Sequence, residues 1–171
     1  MRSGYVCIGL VFLFSCTEDA NQHVPEIPAA ELKKHLIEVN KEVTQLESNQ
    51  IDAYVKRRSL NVVKTETGLR YEIYNDVEGP LIREGQKAVV NYKVSLIDGT
   101  ECYNTNDTSE VFVVGKDNVE SGLHEGITYL SKGDQAIIVI PSHLAHGLAG
   151  DFKKIPIRST IIYDIELVDI Q

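Results

Sequence analysis

The chain has 171 residues, of which 43% are hydrophobic and 25% charged, and its formal net charge is −8. This length is typical of one domain with an appendage, and it is long enough to enclose an apolar core. An acidic chain repels phosphate backbones, so we expect no nucleic-acid partner.

The first residues resemble a bacterial lipoprotein signal. Arg2 precedes "GYVCIGLVFLF", an apolar run of eleven residues that is too short to span a bilayer. The next residues, Leu13-Phe14-Ser15-Cys16, resemble a lipobox, whose cysteine is lipidated and becomes the mature N-terminus. We therefore predict a signal peptide over residues 1–15 and a lipid on Cys16, which would attach the protein to the membrane of the cell envelope, facing the periplasm or on the outer-membrane surface. An ordinary signal peptide with a chance cysteine is the alternative.

A tether and a helical arm are predicted next. Residues 16–28 are polar, with two prolines and no periodicity, as in a flexible tether. Residues 29–59 lack Pro and Gly and carry apolar residues at helical spacing, so we predict a helical arm that is broken near Ser48-Asn49. The apolar stripe can pack on the domain, on a second copy to form a homodimer, or on another partner. Its members are Leu32, Leu36, Val39, Val43, Leu46, Ile51, Tyr54 and Val55.

From residue 60 onward the apolar spacing changes to a period of two, which is typical of strands. Two short strands are predicted on either side of a Thr-Glu-Thr-Gly turn at 65–68. The run "KAVVNYKVSLIDGT" alternates up to a hairpin turn at Asp98-Gly99. Further strands are predicted in "EVFVVG", "QAIIVIP" and "STIIYDIELVDI", the last with Ile161, Tyr163, Ile165 and Leu167 on one side.

One short helix is predicted between these strands, from Asp117 to Leu130. Gly122 and Gly126 would let a sheet approach this helix closely. The predicted fold class is α+β: an antiparallel sheet over residues 60–171, wrapped around one short helix and preceded by the helical arm. The buried stripe of the short helix is predicted to be Val119, Leu123, Ile127 and Leu130.

Two histidines in the loop "PSHLAHGLAG" raise the question of a metal site. His143 and His146 are three residues apart and could share one helical turn, and imidazole is a common zinc ligand. The sequence has no CxxC, no HExxH and no carboxylate at a tight helical offset from them. We therefore predict no metal and no cofactor. The alternative to a metal site is that both histidines are ordinary loop residues.

Three segments together resemble the FK506-binding-protein (FKBP) family of peptidyl-prolyl isomerases: "GQKAVVNYKVSLIDGT", "FVVGKDNVESGLHEGITYLSKGDQAIIVIPSHLAHG" and "IPIRSTIIYDIELVDI". They keep the family's order and spacing over residues 85–170. The lipobox and the arm add a resemblance to lipoprotein members of Bacteroidota that are linked to gliding motility. The resemblance implies an enzyme that assists the folding of exported proteins, with proline-containing polypeptides as its partners.

The resemblance also implies a set of site residues when the family's pocket is carried over position by position. Tyr92, His146 and Tyr163 take the catalytic positions. His146 stands where the family has a loop tyrosine whose hydroxyl donates a hydrogen bond to the bound carbonyl, and an imidazole N–H can donate the same bond. The implied substrate-binding residues are Cys102, Tyr103, Phe112, Val119, Glu120, Leu123 and Ile155.

Some of these positions depart from the family's pattern. Cys102 and Tyr103 replace a Phe-Asp pair in an ungapped alignment, whereas a shift by one residue would place Tyr103 on the Phe and Asn104 on the Asp. Glu120 replaces an Ile or Val. These departures favour a second hypothesis, in which the fold serves as a binding, assembly or chaperone module with weak or no isomerase activity. All of the apolar site residues could also belong only to the core.

Overall fold

The structure is a computed structural model that describes residues 28–106 and 108–171. The predicted signal peptide and the predicted lipidation site, Cys16, lie outside the described residues. The chain divides into two compact units, Met1–Ile37 and Glu38–Gln171. The second unit contains the whole sheet and every feature of the site discussed below.

The described residues form one long helix, one short α-helix, a 3-10 turn at Ser142–Leu144 and a seven-stranded sheet. The elements are α1 (Ala29–Arg58), β1 (Val63–Lys64), β2 (Arg70–Asn75), β3 (Lys87–Leu96), β4 (Glu101–Asn104), β5 (Glu110–Val113), α2 (Ser121–Ile127), β6 (Gln135–Ile140) and β7 (Ile161–Ile170). The strand pairs are antiparallel in the order β1-β2-β6-β7-β3-β4, and β5 also pairs with β3. This architecture confirms the predicted fold class.

The central strand β7 is buried along one face and, at Ile162, on the other face too. Tyr163 and Ile165 pack with the residues of α2 in the main core, as their alternation predicted, and so do Ile161 and Leu167. Ile162 points to the opposite face and is also buried, against Ile51 and Tyr54 of α1. The sheet is therefore covered by α2 on one side and by the second half of α1 on the other.

The helix α1 does not break at Ser48-Asn49, so that prediction is wrong. The Ser48 hydroxyl accepts a hydrogen bond from Nη2 of Arg70 at 2.8 Å, and the Asn49 side chain accepts one from Gln45 at 3.0 Å. Ser and Asn disfavour helix interiors because their side chains compete for backbone groups. Here both side chains form hydrogen bonds with other side chains, and the helix continues through Ser48 and Asn49.

Polar contacts also fix the second half of α1 on the sheet. Oε1 of Glu47 accepts hydrogen bonds from the Ser142 N–H and the Thr160 hydroxyl, both at 2.7 Å, and Oε2 accepts one from the Ser142 hydroxyl at 2.8 Å. The guanidinium of Arg70, which is 1% exposed, pairs with Asp52 at 2.7 Å. The apolar stripe of α1 is predicted to pack on the domain, on a second copy or on another partner. Ile51 and Tyr54 pack on the domain, whereas Leu46 stays exposed.

The short helix α2 is shorter than the predicted span from Asp117 to Leu130. Its N-cap, Glu120, has an extended backbone with φ −60° and ψ 139°, so the helix begins only at the next residue. After the helix, Asp134 accepts hydrogen bonds from the N–H and the hydroxyl of Ser131, at 2.7 and 3.0 Å, which fold the chain into a turn. Leu130 is still fully buried, although it lies outside the helix.

Two glycines of α2 face the sheet at close range, as predicted. A Cβ atom on Gly122 would lie 2.3 Å from Cγ2 of Ile140 and 3.1 Å from the carbonyl oxygen of Leu144. A Cβ atom on Gly126 would lie 2.9 Å from Cδ1 of Ile138. Both distances to isoleucine are shorter than real Cβ contacts, so any larger residue would force the isoleucine or the helix to shift.

The Gly122→Ala variant is expected to be destabilised, although alanine normally stabilises a helix relative to glycine by about 1 kcal/mol. The added methyl group meets the branched side chain of Ile140, and overpacking of this kind costs about 1 to 3 kcal/mol. Because the contact of 2.3 Å is far too short, the cost should lie near the upper end of this range, and urea unfolding should show a net loss of about 2 kcal/mol after the helix gain is subtracted.

The matched control is Gly79→Ala, since a Cβ atom there would make an ordinary contact of 3.4 Å with Ser131. This variant should stay within about 0.5 kcal/mol of the wild type. A Gly122→Ala protein as stable as the wild type would contradict the close packing of α2 on the sheet.

Candidate functional site

A cleft of about 520 Å³ opens between α2, the ends of β3 to β5 and the loop that follows β6. Most of the predicted site residues meet there although they come from distant parts of the chain. Those that line it are Tyr92, Tyr103, Phe112, Val119, Glu120, Leu123, His146 and Tyr163.

Aromatic and aliphatic side chains form the floor of the cleft. The rings of Tyr92 and Tyr163 meet edge to face, with their centroids 5.3 Å apart and their planes at 64°. Tyr163, Phe112 and Leu123 are all at least 95% buried. Because β3 and β7 are paired strands, their tyrosines project from one face of the sheet toward α2. The floor therefore offers a dry surface of the size and chemistry that suit an apolar ring.

Each of the two floor tyrosines donates its hydroxyl hydrogen to a glutamate. The Tyr92 hydroxyl lies 2.9 Å from Oε2 of Glu110, and the Tyr163 hydroxyl lies 3.1 Å from Oε2 of Glu120. Burial and these neighbouring carboxylates raise the pKa of both phenols well above its usual value. Both hydroxyls therefore stay protonated at neutral pH and act as hydrogen-bond donors, not as acids or bases.

A third such pair lies at the rim of the cleft, where the Tyr103 hydroxyl donates to Oδ2 of Asp151. Oδ1 of Asp151 accepts the backbone N–H groups of Lys153 and Ile155, each at 2.8 Å. Burial alone would raise the pKa of Asp151, but these three hydrogen bonds outweigh it and lower the pKa from 3.8 to about 2. The carboxylate thereby fixes the loop before β7 against β4.

The side chain of His146 is half-buried at the mouth of the cleft. Its Nε2 lies 2.9 Å from Oε1 of Glu120, whose other oxygen accepts the Tyr163 hydroxyl. Glu120 thus connects the loop histidine to the floor tyrosine. His143 is exposed, does not line the cleft, and contacts the Thr67 carbonyl oxygen at 3.0 Å.

Two predicted site residues do not reach the cleft. Cys102 and Ile155 are 1% and 3% exposed and belong to the core behind the lining. The Cys102 thiol lies 3.8 Å from the carbonyl oxygens of Thr100 and Lys154, and burial raises its pKa. It is a buried filler, and the residue that β4 contributes to the cleft is Tyr103.

Several residues of the cleft were missed in the sequence. The period of two could have found Glu110, because it lies two residues before Phe112 on the same strand and therefore on the same face. Asp151 and Lys153 lie in an irregular loop that has no periodic signal. The other missed residues of the lining are Val94, Val111, Asn118 and Ala145.

A second cleft, of about 430 Å³, lies between α1 and the turn before β2. Its most buried cation, Arg70, already binds Asp52, Ser48 and the Gly68 carbonyl oxygen. Its lining contains no aromatic residue of those that the structure describes. The aromatic cleft is therefore the stronger candidate for a binding site.

Two features are absent from the described parts of the chain, 28–106 and 108–171. No group of three or more His, Cys, Asp or Glu in them could hold a metal ion. No helix in the same parts is long and apolar enough to cross a membrane.

An antiparallel sheet wrapped on a short helix, with an aromatic cleft between them, defines the class of small FKBP-like domains. Residues 79–168, more than half of the chain, match the family described as FKBP-type peptidyl-prolyl cis-trans isomerase. The chain belongs to this family.

Two similar proteins carry the same description. The FKBP-type peptidyl-prolyl cis-trans isomerase FkpA of Escherichia coli (strain K12) is 39% identical over 110 residues, which cover 64% of this chain and 40% of that protein. FkpA of Buchnera aphidicola subsp. Acyrthosiphon pisum is 35% identical over 148 residues, which cover 82% of this chain and 60% of that protein. The chain thus spans less than two thirds of the length of either relative.

Two solved structures share the fold. The crystal structure of FkpA from Escherichia coli superimposes with a TM-score of 0.65 at 28% sequence identity, covering 85% of this chain and 74% of that one. The N-terminal domain of FKBP42 from Arabidopsis thaliana superimposes with a TM-score of 0.62 at 18% identity, covering 65% of this chain and 92% of that one. At 18% identity, the similarity to the FKBP42 domain shows a shared fold and nothing more.

The lowered pKa of Asp151 predicts a loss of stability in acid. A carboxyl group whose pKa is lower in the folded state stabilises the fold above its ordinary pKa of about 4, and this contribution disappears as the pH falls toward 2. Unfolding free energies measured between pH 6 and pH 2, by urea titration, should fall less steeply for Asp151→Asn than for the wild type.

The control for this prediction is Asp76→Asn, on an exposed residue outside the cleft. It should keep the wild-type slope with pH. Identical slopes for the wild type and Asp151→Asn would show that the hydrogen bonds from Tyr103 and the loop do not stabilise the carboxylate.

Proposed function

We propose that this chain catalyses the cis-trans isomerisation of Xaa-Pro peptide bonds in the cleft around Tyr92 and Tyr163. The observation that carries the proposal is the buried aromatic floor, which is open to solvent on one side and is formed by residues of the family-matched segment. Membership of the isomerase family supports the same activity.

The reaction requires little chemistry from the protein. Rotation about the bond must break amide resonance, a barrier of roughly 18 to 20 kcal/mol, and the uncatalysed exchange takes tens to hundreds of seconds. The twisted amide is less charge-separated than either planar form, so a site that excludes water favours it. We infer that the floor binds the proline ring and stabilises the twisted amide by desolvation, without covalent chemistry.

His146 is proposed to donate a hydrogen bond to the carbonyl oxygen of the bound client. In the structure its Nε2 faces Oε1 of Glu120 at 2.9 Å, which orients the ring at the mouth of the cleft. A client carbonyl would bind either to Nδ1–H of the charged imidazole or to Nε2–H once it leaves Glu120. In the first case Glu120 acts as a positioning residue for His146.

A second candidate function is a binding or chaperone module with weak or no isomerase activity. The observation that favours it is that the polar groups of the cleft already satisfy one another. The Glu120 carboxylate contacts both the Tyr163 hydroxyl and the His146 imidazole, and the Glu110 carboxylate accepts the Tyr92 hydroxyl. Phe152, which is 90% exposed beside the cleft residues Asp151 and Lys153, would suit contact with unfolded chains.

We further propose that the protein is a lipoprotein of the cell envelope whose clients are exported polypeptides. Support comes from the lipobox-like Leu13-Phe14-Ser15-Cys16 and the polar tether after it. A homodimer through α1 is proposed from the apolar residues that remain exposed on it, Leu32, Leu36 and Leu46. A role in gliding motility is proposed only from the resemblance to lipoprotein members of Bacteroidota.

The isomerase proposal predicts that the purified full chain accelerates exchange of a short Ala-Pro peptide, measured by NMR without a coupled protease. His146→Ala should reduce kcat/KM by about fivefold to tenfold, because one hydrogen bond to the twisted amide is lost. His143→Ala removes the same type of side chain outside the cleft and should leave kcat/KM unchanged.

Failure of the wild type to accelerate exchange would contradict the isomerase function. Binding of the same peptide by that inactive protein would then support the second candidate. Equal losses in the His146 and His143 variants would instead contradict the role proposed for His146.

The lipid anchor predicts that Cys16→Ser moves the protein from the membrane fraction to the soluble fraction when it is expressed in a bacterial host. Mass spectrometry of the wild type should show cleavage before Cys16 and an added lipid mass. Cys7→Ser is the matched control, since Cys7 lies within the predicted signal peptide and should not affect the anchor. A wild-type protein without lipid would contradict the proposal.

A further inference from the structure

The lining of the aromatic cleft carries more negative than positive charge. Glu110, Glu120 and Asp151 line it, and the basic residues of the lining are Lys153 and His146. Throughout residues 28–106 and 108–171, no lysine or arginine lies within ion-pair distance of these three carboxylates. The one basic partner in that part of the chain is His146, at 2.9 Å from Glu120.

Two of these carboxylates stand directly at the aromatic floor. Glu110 lies at 2.9 Å from the Tyr92 hydroxyl and Glu120 at 3.1 Å from the Tyr163 hydroxyl. The side chain of Glu120 is only 14% exposed, so water and salt screen its charge less than they screen a surface carboxylate. A client chain on the floor would therefore lie within the field of both glutamates.

One aromatic ring of the cleft lining also contacts a cation, a lysine that is not itself part of the lining, and this observation is independent of the carboxylates. The Nζ atom of Lys154 lies 5.3 Å from the ring centroid of Tyr103, within the range of a cation-π contact. The protein's own lysine thus shows how an alkylammonium group can rest on a ring that lines the cleft.

We propose that the cleft selects prolyl segments that carry Lys or Arg beside the proline, and that Glu110 and Glu120 determine this preference. The inference rests on the isomerase function proposed above and names the class of client for the same site. Acidic flanks are disfavoured because they approach two glutamates in a chain whose net charge is −8.

Three peptides of equal length test the preference, with Lys, Gln or Glu on both sides of a single proline. At low ionic strength the wild type should have a kcat/KM about fivefold higher for the Lys-flanked peptide than for the Glu-flanked one. The ratio should become smaller in about 0.5 M salt, where the Debye length is roughly 4 Å. The Gln-flanked peptide reports the basal activity.

Charge-neutralising variants assign the preference to particular residues. The double variant Glu110→Gln/Glu120→Gln should bring the Lys-to-Glu ratio to within about twofold of one, since amide oxygens keep accepting the tyrosine hydroxyls but carry no charge. Glu78→Gln makes a matched charge change on an exposed residue outside the cleft and should keep the wild-type ratio.

The outcomes separate this inference from the isomerase function. Equal kcat/KM for the Lys-flanked and Glu-flanked peptides would overturn the preference while leaving the activity in place, and a preference that persists in the double variant would overturn the assignment to Glu110 and Glu120. If no peptide is accelerated, the isomerase function fails. Fluorescence anisotropy with the same peptides then decides the inference, because tighter binding of the Lys-flanked peptide supports it and equal binding overturns it.

Discussion

The close contact between α2 and the sheet is the constraint on which the geometry of the cleft depends. Gly122 and Gly126 lie so near Ile140 and Ile138 that a Cβ atom at either position would force a shift. This approach places Leu123 at the floor and the helix N-cap, Glu120, against Tyr163. A helix held farther from the sheet would separate the floor from the glutamate and would admit water beneath the binding surface.

The cleft combines two properties that usually oppose each other, a dry aromatic floor and carboxylates beside it. Removing a carboxylate from water is costly unless hydrogen bonds replace the lost hydration. Glu120 receives one bond to each oxygen, from His146 and from Tyr163, and Glu110 receives one from Tyr92. For the largely buried Glu120 these bonds replace lost hydration, whereas Glu110 is exposed and also keeps its contact with water. The site can thus hold both carboxylates beside a surface that is otherwise apolar.

Local signals predicted the strands well and the helix ends poorly. The alternation in β3 and β7 predicted their buried faces, because every second side chain of a strand points to the same face of the sheet. The continuity of α1 at Ser48 depends on Arg70, which lies 22 residues away in the chain. Helix propensity reflects only the local sequence, so it misplaced this feature. The chain after α2 folds into a local turn in which Asp134 binds Ser131, three residues away, and the helical spacing did not indicate that turn.

The sequence by itself determined the fold class, because periodicity is a property of short segments, whereas the aromatic residues of the floor and the place of His146 were implied by the resemblance to the FKBP family. Only the tertiary structure decided that Cys102 and Ile155 lie in the core, and which carboxylate meets which hydroxyl. Glu120 is 43 residues from Tyr163, and Tyr103 is 48 residues from Asp151. Pairs separated by such distances in the chain are formed by the packing of the whole sheet, and no local pattern encodes them.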